Sequence, residues 1–510
     1  MNSFIATYRI NSPPINRMLG LLKYKNDKRL VKRFKKTIGE VNFAAKEIVS
    51  DNKGNSIIGD VRILNSKVLK KTIGIKNKTS ISDLEIILKL WNKYQNKGLK
   101  LIEGYFAFVI FNGKNIIVSR DIYGVKPVFI GGLKDEVVIS SELRPVIEIN
   151  PTWADWFSPG TIMEFSQEGK TEKKYYSALI KKIEYGKNKE FNYISEAIKL
   201  QSKKLKDLGI KKVGIPLSGG VDSSTIAVLS KKYFERNGVK VIAVTSGIPG
   251  SKDMEYAKKV ATLFKIPLKI RIIKKSEILE LIKNTVRNLE YYNSNLVKNG
   301  IGKYVTAKLA RSLNISVLIC ADSIDEQLWG YHMIPPYSKE CKKYFEQFSS
   351  PEETWKDIFN SCYKTEGQEL DGMNRAFGLE SWLPYLYKKL VDYNLNLPSR
   401  YKIKKINGQV VVKWALRDAV KNLLPKEIAF RQKMPQRLGS GLQGIINEVI
   451  EQEVSDKEFN ELRIKLKKKG YSIHDKLEIV TFKIWSEEFD PELKYGKILN
   501  KFNLYPMVGY

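Results

Sequence analysis

Histidine and cysteine are both scarce in this chain of 510 residues. It has two histidines, His332 and His474, and three cysteines, Cys320, Cys341 and Cys362. Two distant histidines exclude zinc sites built on several imidazoles and most Ser-His-Asp triads. Three cysteines without a C-x-x-C pair exclude a disulfide framework and favour a reducing compartment. We therefore expect the chemistry to depend on carboxylates, lysines, tyrosines, backbone amides and a bound cation.

Long apolar runs are also missing. The longest candidates, Gly104–Phe111 and Ile315–Ala321, are far shorter than the ~18 residues that a membrane-spanning helix needs. The first residues, Met1–Tyr8, lack the basic, apolar and small-residue segments of a secretory signal. These absences predict a cytoplasmic protein without a membrane partner.

Positive charge, by contrast, is in large excess. Lys and Arg number 88 and Asp and Glu number 55, so the net charge is 88 − 55 = +33. Clustered basic residues can neutralise nucleic-acid phosphates. Here the excess is spread over short segments such as Lys28–Lys36, Lys203–Lys212 and Lys465–Lys469, without a long basic tail. This distribution favours a solvated, lysine-rich surface over a nucleic-acid partner.

The sequence pattern changes near residue 190. Before it, short apolar strands dominate, including Ser56–Ile63, Gly104–Phe111 and Val137–Ser140, and residues 166–190 resemble a polar linker. After it, amphipathic helices alternate with β-branched runs such as Lys212–Leu217. This alternation predicts a doubly wound parallel sheet, followed by a mostly helical region beyond about residue 350.

An anion-binding loop is the strongest local signal. An apolar strand leads into Ser218, Gly219 and Gly220, and a helix begins near Asp222. Adjacent glycines let backbone N–H groups approach an anion, and the helix N-terminus adds partial positive charge. The loop lacks the lysine of a Walker A motif. The expected phosphate-binding residues are Ser218, Gly219, Gly220, Asp222, Ser223 and Ser224.

A second acidic segment follows the predicted strand Val317–Cys320. It contains Asp322, Asp325 and Glu326. Loops at the carboxyl ends of parallel strands line one crevice, so these carboxylates could lie near Asp222 and share a divalent cation. A solvated helix start that uses an aspartate as its cap remains an alternative.

The order of several motifs resembles class B asparagine synthetases and their relatives, the β-lactam synthetases. The loop at 218–224 is similar to the pyrophosphate loop of N-type ATP pyrophosphatases. The resemblance implies an Ntn-hydrolase-like αββα sandwich over residues 1–180. A doubly wound adenylating domain with a helical C-terminal part would follow over residues 190–510. The matching segments are 101–111, 119–128 and 140–143 in the first part and 218–224, 247–253, 321–331, 378–386 and 431–433 in the second.

The resemblance also implies a reaction, in which ATP converts a carboxylate into an acyl-adenylate and an amine then displaces AMP. By the family's motifs, Asp222 and Asp325 would bind Mg²⁺, and Asp322 would assist adenylate formation. Glu380 would act as a base for the amine or orient it, and Lys433 would stabilise negative charge. Backbone groups at four positions would contact the adenosine of ATP, namely Leu217, Ser246, Cys320 and Ala321.

The first domain departs from the family at its nucleophile. Family members carry cysteine after the initiator methionine, whereas this sequence has Asn2 and no cysteine before Cys320. Glutamine hydrolysis is therefore not expected. Arg62 and Asp83 still match glutamine-binding positions, which implies a residual binding site.

Three functions remain open. One is an asparagine-synthetase-like ligase that joins aspartate to ammonia or another amine. A second is an intramolecular amide former like the β-lactam and carbapenam synthetases, which also lack the cysteine. A third is a pyrophosphate-loop enzyme that adenylates tRNA. Trp382 and Tyr387 replace an arginine and an aspartate of asparagine synthetases, and Ser323 and Trp329 replace glycines. Small acids and amines are the expected partners, and a homo-oligomer is compatible with the sequence.

Overall fold

The computed structural model describes residues 3–9, 15–22, 30–36, 39–76, 79–133, 136–176, 183–186, 188–331 and 349–499. Asn2, His332 and Cys341 lie outside these residues. The chain divides into two compact units, Met1–Ala178 and Leu179–Tyr510. None of the described helices combines the length and apolarity that crossing a membrane requires.

The first unit contains two six-stranded antiparallel sheets. Their orders are β10-β8-β9-β1-β3-β2 and β12-β11-β7-β6-β5-β4. Strands β1–β12 are Phe4–Tyr8, Leu30–Lys36, Gly39–Ala45, Val49–Ser50, Ser56–Ile63, Gly104–Phe111, Ile116–Arg120, Phe129–Gly132, Val137–Ser140, Trp153–Trp156, Thr161–Ser166 and Gly169–Lys174.

Apolar residues hold the two sheets face to face. Phe4 and Phe43 of the first sheet share a buried core with Val109 and Phe111 of the second. The opposite face of the second sheet packs against the helix that contains Leu88. Helices α1–α5 are Ile15–Leu21, Ser66–Thr72, Asp83–Tyr94, Asn96–Leu99 and Arg144–Ile147. Because α1 and α5 contact the first sheet and α3 the second, the layers follow the order αββα that the resemblance implies.

Strand β12 is where the predicted linker and the structure differ. Gly169–Lys174 pairs antiparallel with Thr161–Ser166, so the segment belongs to a hairpin. Every residue of β12 is exposed. Its polar sequence therefore carries no apolar alternation, and backbone pairing alone makes it a strand.

The second unit is built on a five-stranded parallel sheet of order β15-β14-β13-β16-β17. Its strands β13–β17 are Lys212–Pro216, Lys240–Gly247, Leu268–Ile272, Val317–Ile319 and Glu380–Trp382. The strand order reverses between β13 and β16, and such a reversal opens a crevice at the carboxyl ends of the strands. A separate hairpin pairs Ile403–Ile406 with Gln409–Val412.

Helices surround this sheet and fill the C-terminal region. Helices α7, α8 and α10 contact β14, and α6 contacts α7. Helices α6–α22 are Lys189–Asp207, Val221–Phe234, Lys252–Leu263, Ile278–Leu289, Ser294–Ser312, Ile324–Gln327, Pro351–Ser361, Glu366–Arg375, Lys388–Asn396, Ser399–Lys402, Trp414–Val420, Lys426–Ala429, Gln436–Gly439, Leu442–Glu453, Asp456–Lys468, Lys476–Phe489 and Gly496–Leu499. The doubly wound sheet and the helical C-terminal part confirm the predicted fold class.

Candidate active site

A cavity of about 200 Å³ lies at the carboxyl ends of β13, β14 and β16. This is the crevice that the strand order creates. Residues at or just after the end of each strand line it, including Ser218, Ser246 and Asp322. The lining combines seven carboxylates with two lysines among the described residues. These residues are Asp222, Asp253, Asp322, Asp325, Glu326, Glu366 and Glu369, with Lys303 and Lys433.

The anion-binding loop has a backbone that requires glycine. Gly219 adopts φ +72°, and a Cβ at this position would lie 2.4 Å from the backbone carbon of Tyr256. Gly220 is the N-cap of α7, which directs the free N–H groups of that helix towards the loop. The Ser223 hydroxyl lies 3.1 Å from the Ser218 hydroxyl and 3.2 Å from the Ser218 backbone nitrogen. Ser218 and Ser223 line the cavity, whereas Ser224 is completely buried in α7.

Arg431 connects this loop to a distant part of the chain. Its guanidinium donates to the Ser218 carbonyl at 2.8 Å and to the Asp253 carboxylate at 2.7 Å. Gly439 makes room for the second contact, since a Cβ there would lie 2.3 Å from an Asp253 oxygen. Arg431 therefore fixes the loop from the same segment that carries Lys433.

Asp222 and Asp325 are brought together, as the sequence predicts for a shared cation. The Nζ of Lys413 lies 2.6 Å from Asp222 Oδ2 and 2.8 Å from Asp325 Oδ1. The Nζ of Lys433 lies 2.8 Å from Asp325 Oδ2. Lys413 is buried and was missed by sequence reasoning. Lys413 directly follows a strand and adopts a left-handed backbone conformation, at φ +56°. It belongs to none of the sequence motifs described above.

The two lysines set the charge of Asp325. Burial alone would raise the pKa of Asp325, but the ammonium groups of Lys413 and Lys433 lower it below its usual range. Burial would likewise lower the pKa of Lys433, but Asp325 and then Asp222 raise it above its ordinary value. The site therefore holds Asp325 as a carboxylate and Lys433 as an ammonium ion near neutral pH.

The acidic loop adopts strained backbone conformations at the two positions that the sequence flagged. Ser323 has φ +76° and Trp329 has φ +58°. A left-handed conformation costs a residue other than glycine about 1–2 kcal/mol. Gln327 holds the loop by donating to the carbonyls of Ser323 and Tyr385. The loop thus keeps a glycine-like geometry without the glycines.

Asp322 is held by a partly buried lysine, Lys303. Lys303 donates to Asp322 at 2.9 Å and pairs with Glu369 at 3.1 Å. Burial would lower the pKa of Lys303, but these two carboxylates raise it above its ordinary value. Burial raises the pKa of Glu369 to about 7 even though Lys303 opposes the shift. Lys303 and Glu369 belong to the site and carry no sequence signal beyond their residue types.

The positions expected to contact adenosine gather at the same edge of the sheet. Leu217, Ser246 and Ala321 line the cavity. The Ser246 hydroxyl lies 2.9 Å from the Thr306 hydroxyl. The Ser246 side chain is therefore hydrogen-bonded within the protein. Cys320 is completely buried, and its backbone N–H donates to the Trp382 carbonyl. The structure thus places three of the four residues on the cavity surface.

Of the three expected catalytic residues, Asp322 and Lys433 are in the described lining of the cavity and Glu380 is not. Glu380 opens β17, and it pairs in register with Val317, whereas Trp382 pairs with Ile319. Glu380 therefore lies towards the amino ends of the strands, and the cavity lies at their carboxyl ends. Its carboxylate accepts a hydrogen bond from the Trp382 indole at 3.1 Å. The motif gave the residue type but not its position along the strand.

In the first unit, Arg62 and Asp83 lie next to each other. Their charged groups are 3.6 Å apart, and Asp83 also accepts a hydrogen bond from the Ile63 backbone at 3.0 Å. Ser82 caps α3 by accepting from the Glu85 N–H, which positions Asp83 at the start of the helix. These two expected glutamine contacts therefore form an ion pair with each other.

The carboxylates at the loop fit a hard divalent cation. Asp222 Oδ1 is buried and has no hydrogen-bond partner in the described part of the chain. A buried carboxylate oxygen without a partner is costly, and Mg²⁺ prefers oxygen ligands of this type. Asp222 and Asp325 are therefore suited to hold Mg²⁺ beside phosphate groups.

Comparisons with known proteins agree with this geometry. The sequence model of the family described as Asparagine synthase matches residues 208–367 and 351–479, and that of the Glutamine amidotransferase domain matches residues 37–148. A putative glutamine-hydrolysing asparagine synthetase from Methanocaldococcus jannaschii is 28% identical, with 76% of this chain and 78% of that protein covered.

Two other relatives have similar names and similar coverage. Asparagine synthetase B of Escherichia coli is 25% identical, with 87% of this chain and 80% of that protein covered. Asparagine synthetase of Gallus gallus is 27% identical, with coverages of 77% and 74%. The Asparagine synthase matches together extend over residues 208–479, which is more than half of the chain. The chain belongs to the asparagine synthetase family.

Proposed function

We propose that the second unit activates the carboxylate of a small acid with ATP and joins it to ammonia or another amine, with aspartate as the first candidate acid. The observation that carries this proposal is the convergence of the anion-binding loop, Asp222, Asp325 and Lys433 on one cavity. The names of the relatives, all asparagine synthetases, support aspartate. The enzyme is an ATP-dependent carbon–nitrogen ligase.

The reaction has two bond-forming steps. In the first, a carboxylate oxygen of the acid attacks the α-phosphorus of ATP, and the α–β phosphate bond breaks to release pyrophosphate. In the second, the amine nitrogen attacks the acyl carbon, loses a proton to solvent and displaces AMP. Negative charge develops on phosphate oxygens in the first step and on the acyl oxygen in the second, so both steps need fixed positive groups.

Particular residues supply those groups. The N–H groups of the loop and the start of α7 would hold the phosphates, with Ser218 and Ser223 as further donors. Asp222 and Asp325 would hold Mg²⁺, which neutralises phosphate charge when bound. We assign to Lys433 the stabilisation of the developing negative charge and to Lys413 the positioning of the two aspartates. Asp322, fixed by Lys303, would assist adenylate formation.

The cavity edge formed by Leu217, Ser246, Cys320 and Ala321 would take the adenosine through backbone groups. Glu380 receives no role in this assignment. The first unit is proposed to lack glutaminase activity, because no cysteine precedes Cys320 in the sequence. Free thiols at Cys320 and Cys362 support a reducing, cytoplasmic setting.

An ATP–pyrophosphate exchange screen over candidate acids tests this function. We expect exchange to depend on aspartate or a related acid and on Mg²⁺, and ammonium to convert the activated acid into an amide with release of AMP. Formation of ADP and phosphate would contradict the mechanism. Exchange with another acid, in the absence of exchange with aspartate, would retain the mechanism and correct the substrate.

A further inference from the structure

The charges around the cavity balance except at one end. Asp253 pairs with Arg431, and Lys303 pairs with both Asp322 and Glu369. Lys413 and Lys433 compensate Asp222 and Asp325. That leaves two lining carboxylates, Glu326 and Glu366, without an ion pair to a lysine or arginine in the described part of the chain. Buried carboxylates are costly without a compensating cation.

A thiol stands beside these two carboxylates. One ligand atom each of Glu326, Cys362 and Glu366 lies within 4.8 Å of the other two. Glu326 comes from α11, whereas Cys362 and Glu366 flank the turn between α12 and α13. Two separate segments of the chain therefore bring two oxygens and a sulfur close together.

Glu326 also has an oxygen that nothing in the described structure satisfies. The residue is 2% exposed, and its Oε2 is buried without a hydrogen-bond partner among the described residues. Glu366, in contrast, accepts a hydrogen bond from Thr365, and the Cys362 thiol donates to the Ile358 carbonyl at 3.1 Å. The unsatisfied oxygen therefore belongs to the most deeply buried member of the cluster.

From this juxtaposition we infer that Glu326, Cys362 and Glu366 form a binding site for a thiophilic divalent cation of the Zn²⁺ type. The sulfur of Cys362 favours a metal ion over an ammonium group as the bound cation. A thiol is a weak hydrogen-bond acceptor for an ammonium group, whereas a thiolate is a strong zinc ligand. Tetrahedral zinc with bonds of about 2.0–2.3 Å needs ligand atoms roughly 3.3–3.8 Å apart, so small side-chain movements close the site. Binding releases the thiol proton to solvent.

This site has an open side. Glu326 and Glu366 line the cavity, so a fourth coordination position faces it. Zinc with three protein ligands and one open position is the arrangement of catalytic rather than structural sites. The open position would take water or a Lewis-basic group of the substrate. The site formed by Glu326, Cys362 and Glu366 is chemically distinct from the pair of Asp222 and Asp325, which offers oxygen atoms alone and suits Mg²⁺.

Metal titration of the purified full-length chain tests the inference without turnover. In excess Mg²⁺, which occupies oxygen-only sites, Zn²⁺ should bind saturably with a single ion per chain. Co²⁺ should bind with a thiolate-to-metal charge-transfer absorption in the near ultraviolet. Cys362→Ser should abolish this absorption, and Glu366→Gln should weaken Zn²⁺ binding by more than about tenfold. Glu352→Gln, at an exposed carboxylate of the neighbouring helix α12, is the matched control and should bind Zn²⁺ like the parent chain.

Several results would overturn the inference. One is the absence of saturable Zn²⁺ binding. Another is equal Zn²⁺ affinity in the parent chain, Cys362→Ser and Glu366→Gln, and a third is a Co²⁺ complex without a thiolate band. Circular dichroism of each variant shows whether it folds. If Cys362→Ser does not fold, Glu366→Gln still tests the inference. Because binding needs no ATP or acid, the site can fail while the ligase activity stands, and the reverse also holds.

Discussion

The polar side chains of the two units differ in what they contact. In the first unit, buried Arg120 donates to the carbonyls of Gly124 and Phe157, and Lys126 pairs with Asp60 at 2.9 Å. In the second unit, buried charges gather around a cavity, and an oxygen of Asp222 lacks a partner among the described residues. The charged groups named in the first unit are bonded to other groups of the same chain. The charged groups at the cavity leave an oxygen of Asp222 that can still bind a ligand.

A charged group whose bonds are completed within the chain is structural, whereas one with an unused buried oxygen beside a cavity is a candidate for ligand binding. Arg62 and Asp83 match family positions for glutamine, yet each is the other's partner at 3.6 Å. Ser3 likewise donates to Glu142 at 2.7 Å in a buried hydrogen bond. An unsatisfied buried group beside an open volume indicates a ligand, because leaving it unpaired costs about 1–3 kcal/mol. Substitutions in the two units should therefore have effects of very different size.

Replacing Asp222 should have the largest effect. Asp222→Asn removes the negative charge that we propose holds Mg²⁺ against the phosphates, and a metal contributes several kcal/mol to such steps. We expect ATP–pyrophosphate exchange to fall by roughly a thousandfold or more, as measured with labelled pyrophosphate. Glu235→Gln, at an exposed carboxylate just after α7, is the control and should exchange normally. Full exchange by Asp222→Asn would remove this residue from the metal site.

Replacing Lys413 should have the next largest effect, and this effect should appear in the free energy of unfolding. Lys413→Met leaves Asp222 and Asp325 without the ammonium group that lies between them, and breaking such a buried pair costs about 3–5 kcal/mol. Denaturant unfolding of the full chain should show this loss, while Lys405→Met, at an exposed lysine of the hairpin that precedes Lys413, should be nearly neutral. A loss under about 1 kcal/mol would mean that the aspartates do not depend on Lys413.

Lys433 should affect the two chemical steps unequally. Lys433→Ala keeps the anion-binding loop but removes the charge to which we assign the stabilisation of the attacked adenylate. We expect amide formation to fall by about 10²–10³, with a smaller loss of pyrophosphate exchange. Parallel assays of both steps measure the split, and Lys426→Ala, at an exposed lysine nearby, is the control. Equal losses in the two assays would assign Lys433 to ATP binding rather than to the second step.

The sequence could predict those parts of the fold and site in which the signal is local. Strands Ser56–Ile63, Gly104–Phe111 and Val137–Ser140 have the predicted bounds because each is a largely buried, mostly apolar segment between turns. The loop at 218–224 and the acidic segment after β16 were also predicted, because each is a short motif at the end of a strand. Strand Gly169–Lys174 was missed because it is wholly exposed.

Contacts between distant segments could not be predicted. Lys413 reaches Asp222 across 191 positions of sequence, and Arg431 reaches Ser218 across 213. A single lysine among 88 Lys and Arg carries no mark of such a contact. The place of Glu380 along its strand depends on register, which neighbouring strands set. Packing of the whole chain decides these features, and one sequence shows no more than the residue types available for them.

Replacing Arg62 should have the smallest effect, and it tests the first unit in the comparison between the two units. Its ion pair with Asp83 is partly exposed, and pairs of this kind contribute about 0–1 kcal/mol. Arg62→Ala should therefore lower the free energy of unfolding by no more than this amount, similar to Lys89→Ala, which removes an exposed pair with Glu85 in the same unit. The parent chain should release no ammonia from glutamine. A loss above about 2 kcal/mol would contradict a weak, partly exposed pair. Measurable glutamine hydrolysis by the parent chain would place ligand chemistry in the first unit and would remove the contrast between the two units.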